Sequence, residues 1–188
     1  RQRDPAAGPE ELEQVRSRFM AGILAHIGEM SLFLNTTPHS HPPFGRFDAP
    51  QFISWSQGNR AQLLRVPLAK EGAARVELRS PDPLCNPYLA FTLLLRAGME
   101  GIRNKLPLCA PADFDFARAD TRQLAEYQTL PGTLGKAIAL AENSAFIRQS
   151  LPGAIVEKVL ACKKAEWENY MHTENRRQFE HISYFERL

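Results

Sequence analysis

The chain has 188 residues, with 23 basic against 21 acidic side chains and a formal net charge of +2. That near balance, with no block of like charge, excludes a non-specific electrostatic grip on nucleic acid or on an anionic membrane. Hydrophobic residues at 44% and charged ones at 23% suit a soluble domain with one substantial core and exclude a disordered chain.

The start, RQRDPAAGPEELEQ, is polar, has no apolar stretch of the kind that directs secretion, and lacks an initiator methionine. It predicts a frayed leader and a chain that is a fragment of a longer protein. From Pro9, the residues Leu12, Val15, Phe19, Ile23 and Ile27 recur at helical spacing, and Gly22 and Gly28 weaken the end of that helix. Residues 35–50, NTTPHSHPPFGRFDAP, hold four prolines and predict a loop or flap, because proline within the run forbids regular pairing. Within it His39 and His41 form an HxH with no third ligand in view, which reads as exposed flap rather than metal pair. Residues 51–55 and 62–67 read as strands joined by a turn over 56–59. Residues 75–80 are a third strand, with Arg75, Glu77 and Arg79 on one face and Val76 and Leu78 on the other.

Asn86-Pro87 starts a helix in good order, asparagine as N-cap and proline at the first helical position. To about Lys105 it is apolar nearly all round (Tyr88, Phe91, Leu95, Met99), which places it inside the protein. Gly98 and Gly101 would admit another backbone. Short helices follow over 121–128, 133–143 and 145–149, then a longer, charge-rich one over 155–170. The chain thus divides into a segment of helix, flap loop, strands and buried helix, residues 1–105, and a helical region, residues 106–188. The longest apolar run, residues 84–95, is broken by Asn86 and Pro87 and is shorter than the about 20 residues a membrane span requires. Cys85, Cys109 and Cys162 are odd in number and form no CxxC, which fits a reducing cytoplasm. They are expected to be buried.

The chemistry concentrates in Arg60, Arg65, Glu77 and Arg79, held on elements that otherwise look like core. Arginine grips phosphate or carboxylate through a planar fork of donors, and glutamate supplies the hard oxygens that magnesium or manganese favour. Phosphoryl transfer depends on such positioning and charge neutralisation. The same residues also fit a plain Arg–Glu ladder on a sheet face, each cross-strand pair worth a few tenths to ~1 kcal/mol.

The literal strings NRAQLLRVP, RVELRSPDPLCNPYLAF and AGMEGIRNK resemble the C-terminal half of the catalytic domain of bacterial type I glutamine synthetases. FMAGILAHIGEMSLFLNTT and CKKAEWENY resemble flanking helices of that family more loosely. The resemblance implies an α+β fold, a partial catalytic domain of a few antiparallel strands packed with helices. It implies a ligase that joins L-glutamate and ammonia at the expense of ATP, with Mg2+ or Mn2+, through a γ-glutamyl phosphate. Arg60 and Arg65 would contact the nucleotide phosphates and Glu77 would ligate a divalent metal. Arg79 would contact the glutamate and the transferred phosphoryl group. Asp48, in FDAP, stands where the family has a catalytic glutamate on its closing flap. Pro42 stands where the family has an arginine for the α-carboxylate of glutamate, with Arg46 nearby as substitute, and Ala61 replaces a serine. These departures spare the phosphate side and alter the amine side, so the amine is either ammonia or another, as in a γ-glutamyl-polyamine ligase. A non-catalytic binding or regulatory relative is the alternative. The stretch ADFDFARAD holds no tyrosine, so adenylylation there is not expected. The resemblance also implies a homo-oligomer, dodecamer-like in the full-length protein, with the tail FEHISYFERL reaching a neighbouring subunit. The fragment alone is expected to be inactive.

Overall fold

A computed structural model describes residues 8–41, 50–67 and 75–186. The first helix, α1 (Pro9–Leu34), begins on a proline with Glu10 and Glu11 in its first turn, where carboxylates meet the positive end of the helix dipole. It runs through both glycines instead of ending near them. The reason lies in α2 (Pro87–Arg103), which crosses it at Gly22. A Cβ on Gly22 would lie 2.1 Å from the Ala97 carbonyl oxygen, and one on Gly101 would lie 2.1 Å from the Arg18 carbonyl oxygen. The two helices therefore touch backbone to backbone, and each glycine is a contact, not a terminus.

The start of α2 is as expected: the Asn86 side-chain oxygen accepts from the backbone N–H groups of Tyr88 at 3.0 Å and Leu89 at 3.3 Å. Its burial is not. Ala90, Leu93, Ala97, Gly98 and Gly101 are covered, but Tyr88 is 83% exposed, Phe91 64% and Leu95 58%. A helix apolar on all sides has one face covered among the described residues.

The sheet corrects a second expectation. Strands β1 (Trp55–Gln57) and β2 (Leu64–Val66) are parallel, not the two arms of a hairpin. Gly58, at φ +89°, takes a left-handed backbone that a side chain would disfavour. The chain then loops round, so that Leu64 N–H donates to Ser54 O and Gly58 N–H to Val66 O, each at 3.1 Å. Across the loop, Ser54 Oγ donates to the buried Gln62 side-chain oxygen at 2.6 Å. The short β3 (Glu77–Leu78) pairs antiparallel with β2, Arg65 opposite Glu77.

Four helices follow: α3 (Thr121–Ala125), α4 (Leu134–Glu142), α5 (Ala145–Ser150) and α6 (Gly153–His172). Asp120, Thr133 and Ser144 cap the first three through their side chains. One apolar cluster joins Met20, Ile27, Phe33, Leu64 and Leu93 to Leu134, Ile138, Ile147 and Val156. It draws on both sides of residue 105, and each such side chain contributes about 1.5–3 kcal/mol by leaving water. After α6 comes α7 (Arg176–Glu180), continued by a wider π-helical turn over residues 181–185. The cysteines are free, but Cys109 and Cys162 are exposed and Cys85 half-buried, contrary to the expectation of buried thiols.

Candidate functional site

The cross-strand register of β2 and β3 sets Arg65 directly against Glu77. Arg65 Nη1 donates to Glu77 Oε2 at 2.9 Å, while its Nε donates to the Gly58 carbonyl at 2.9 Å and so fixes the guanidinium to the loop. Arg75 Nε and Nη2 both reach Glu77 Oε1 at 2.9 Å. The hydrogen bond from Arg65, and then that from Arg75, hold the Glu77 carboxyl below the usual carboxylate range. This trio is the Arg–Glu ladder that the sequence left open as one of two readings.

The other predicted residues are placed elsewhere. Arg60 is exposed in the loop between β1 and β2. Asp48, like Pro42 and Arg46, lies outside the described residues. Arg79 follows β3, its N–H donating to Leu63 O at 3.0 Å, and it lines a separate cavity of about 490 Å3. Its Nη1 is buried, as is Ser80 Oγ, and neither has a hydrogen-bond partner among the described residues. A buried guanidinium nitrogen without an acceptor costs about 1–3 kcal/mol or more, which makes Arg79 the one predicted residue here with a buried, unmet hydrogen-bonding capacity among the described residues.

The segment bearing Arg79 is tied to the end of α1. Asn35 Nδ2 donates to Ser80 O at 2.6 Å, and Asp82 N–H donates to Leu34 O at 3.0 Å. Thr37 and Ser40 cap a single turn at Pro38–Ser40, and Ser40 Oγ donates to Asp82. The two histidines of the HxH part company. His39 is exposed, but His41 is buried, its ring nitrogens 2.9 Å from the Pro131 and Asn35 carbonyl oxygens. Burial pushes His41 down from its ordinary pKa, against the two carbonyls and Asp82, which raise it. Sequence reasoning missed Ser80, His41 and the tail residues Tyr184 and Phe185, all of which line this cavity. Ser80 had a signal in its place beside Arg79, and His41 in the HxH, which in sequence reads as exposed flap.

A larger cavity, about 1000 Å3, opens beside His26, which stacks on Phe146 at 4.0 Å and lies 3.3 Å from both Glu29 and Glu100. Among the described residues, none of the predicted site residues lines it.

A divalent metal is a chemical match for Glu77, whose carboxylate offers hard oxygens. It is one ligand only: among the described residues no three His, Cys, Asp or Glu side chains could hold a metal together. Both Glu77 oxygens already accept from arginine, so a bound ion would share them or displace Arg75, the more exposed partner.

Comparison with known proteins gives this arrangement its context. The family profile "Glutamine synthetase, catalytic domain" matches residues 4–182. The glutamine synthetase of Methanosarcina mazei is 36% identical over 165 residues, covering 86% of this chain and 37% of that protein. The glutamine synthetase of Mycolicibacterium smegmatis is 37% identical over 168 residues, covering 86% of this chain and 38% of that protein. The chain therefore spans well under half the length of these relatives. Among solved structures, "GmaS/ADP complex-Conformation 1" superposes with a TM-score of 0.76 at 25% identity, covering 95% of this chain and 41% of that chain. "Apo GmaS without ligand" gives a TM-score of 0.73 at 26% identity, over 95% of this chain and 40% of that chain. On the breadth of these matches, the chain belongs to the glutamine synthetase family, as part of its catalytic domain.

Proposed function

We propose that the full-length protein is an ATP-dependent carboxylate–amine ligase and that this chain supplies the phosphate-facing part of its site. The observation that carries the reading is Arg79, whose buried Nη1 has no acceptor among the described residues and whose side chain lines a cavity. In the reaction a γ-carboxylate oxygen of glutamate attacks the terminal phosphorus of ATP and ADP leaves; the amine nitrogen then displaces phosphate, forming the amide. Arg79 contacts the carboxylate and the phosphoryl group in transfer. Arg65, held by Gly58 O and the Glu77 carboxylate, and the exposed Arg60 lend charge to the nucleotide phosphates. Glu77 contributes one carboxylate to a Mg2+ or Mn2+ ion whose remaining ligands come from other parts of the protein. When bound, that ion supplies charge neutralisation at the phosphates.

Asp48 takes the place of a flap glutamate and accepts a proton from the amine. Its side chain is one methylene shorter, which withdraws the carboxylate by more than ~1 Å. That change, with proline at position 42, favours an amine larger than ammonia as the second reading. The exposed face of α2 (Tyr88, Phe91, Leu95) is covered by other parts of the catalytic domain in the full-length protein, a cytoplasmic homo-oligomer. No helix among the described residues is long and apolar enough to cross a membrane. The test is ADP release by the full-length protein given ATP, glutamate and a panel of amines. Amine-dependent ADP release supports the ligase, and the best amine identifies which kind. No release with any amine leaves a non-catalytic relative. The isolated chain is expected to be inactive.

A further inference from the structure

Arg60 lies on the two-residue turn Arg60-Ala61, and the residues on either side of that turn converge on one oxygen. Asn59 Nδ2 and Gln62 Nε2 each donate to the Phe114 carbonyl at 3.2 Å. The other end of each amide is also engaged. Asn59 Oδ1 accepts from the Ala61 N–H at 2.9 Å, closing a side-chain turn around Arg60. Gln62, fully buried, accepts from Ser54 Oγ at 2.6 Å, which fastens the far side of the loop to the residue before β1.

The shared oxygen belongs to a stretch, residues 106–115, that forms neither strand nor helix. It is laid along β1. The Ala112 N–H donates to Trp55 O at 2.8 Å, and Trp55 Nε1 donates to Cys109 O at 2.8 Å. The Gln57 N–H donates to Asp113 Oδ1 at 3.2 Å. The Phe114 ring lies 4.8 Å from Phe116 and 5.9 Å from Tyr127. Ala112 is buried and Phe114 half-buried, so packing sets where the carbonyl lies. Asparagine has the chemistry that position 59 uses. Aspartate would have no N–H for Phe114, serine could meet only the Ala61 amide, and alanine would make neither bond.

We propose that Asn59 is a positioning residue for nucleotide binding: by its bond to Phe114 O it fixes the turn from which Arg60 reaches the phosphates of ATP. Residues 112–114 thereby become support for the nucleotide site. The proposal rests on the reading of Arg60 as a phosphate-contacting residue. The gain is preorganisation: an exposed arginine loses conformational freedom when it grips phosphate, and a backbone fixed beforehand leaves less to lose.

ATP binding by the full-length protein, with Mg2+ and without glutamate, is measured by calorimetry for wild type, Asn59→Ala, Arg60→Gln and the double variant. Each single change is expected to weaken ATP about tenfold. The double variant binds no more than about twofold more weakly than Arg60→Gln, because Asn59 acts through Arg60. Asn59→Ser, which keeps the Ala61 bond and drops the one to Phe114, is expected within about twofold of Asn59→Ala. If Asn59→Ala binds ATP as wild type does, or if the two changes add, the positioning role is refuted while the reading of Arg60 stands. An Asn59→Ser protein with wild-type affinity also overturns it, because the bond to Phe114 is then dispensable. If Arg60→Gln leaves ATP affinity unchanged, that reading fails and takes the proposal with it. Amide exchange in the wild-type protein needs no variant to fold: ATP slows exchange over 57–61 and 112–114 together. Protection confined to 57–61, or absent from both stretches, contradicts the proposal.

Discussion

Replacing Gly22 with alanine places a methyl group 2.1 Å from the Ala97 carbonyl oxygen and 2.8 Å from the Gly101 amide nitrogen. Both obstacles are backbone, so no rotamer change relieves them. The helices must part until 2.1 Å becomes at least the 3.4 Å of ordinary contact, along a seam where Met20, Ile23, Leu93 and Ala97 are buried. Overpacking of this kind costs ~1–3 kcal/mol, and the rigid partners put it at the upper end. The better helix propensity of alanine returns about 1 kcal/mol, which leaves a net loss of about 2 kcal/mol. Gly28 in the same helix is the internal control. A methyl there meets only Leu140 Cδ1, at 3.9 Å, so Gly28→Ala stabilises by ~0.5–1 kcal/mol. Thermal unfolding at fixed protein concentration should move a few degrees down for Gly22→Ala and one to a few degrees up for Gly28→Ala, by the roughly 2–4 °C per kcal/mol of a domain this size. A Gly22→Ala protein that melts at or above wild type would refute the backbone-to-backbone crossing.

Asn86→Ala removes the acceptor for the Tyr88 and Leu89 amides and should cost ~1 kcal/mol, read by urea unfolding. Because burial lowers the pKa of His41, the unfolded chain binds its proton more readily than the folded one. The stability this gives is complete above the unfolded value of about 6.5 and falls as the pH drops through it towards the folded value. Urea midpoints between pH 8 and pH 5 should fall in wild type and fall less in His41→Asn; parallel curves would show that His41 contributes nothing. Glu77 shares that protonation preference, but there the favoured deprotonated form is the charged one: its folded value is depressed by Arg65 and Arg75, so its charge persists below the usual carboxylate range. Carbon NMR should find its midpoint under the ordinary ~4.3 and moving up in Arg65→Gln; an unmoved midpoint would show that Arg65 is not the cause.

What the sequence made legible was local. The cap at Asn86-Pro87 depends on residues within one turn, and the helices expected over 133–143 and 145–149 lie at Leu134–Glu142 and Ala145–Ser150. What it hid was long-range. Gly22 looked like a weak helix end because its purpose is Ala97 and Gly101, far along the chain. The parallel pairing of β1 and β2 depends on a left-handed Gly58 and on bonds closing a loop that alternation alone reads as a hairpin turn. The four-residue cluster was legible as a set, but only Arg65 and Glu77 face each other, with Arg75, legible only as sharing the strand face of Glu77, as their third member. Arg79, directly after β3, belongs to a different cavity that the tail residues Tyr184 and Phe185 also line. The HxH divided for the same reason: His41 turns inward to carbonyls at positions 35 and 131, which no local pattern announces.

The central claim is that Glu77, though paired with two arginines, lends its carboxylate to a divalent ion in the full-length protein. Titration of that protein with Mn2+, followed by electron paramagnetic resonance of the free ion, tests it most directly. The account predicts that Glu77→Ala binds one Mn2+ fewer per subunit than wild type, or binds it at least tenfold more weakly, while Arg75→Ala binds it no less tightly. Unchanged stoichiometry and affinity in Glu77→Ala would leave Arg65, Glu77 and Arg75 as a structural ladder and nothing more.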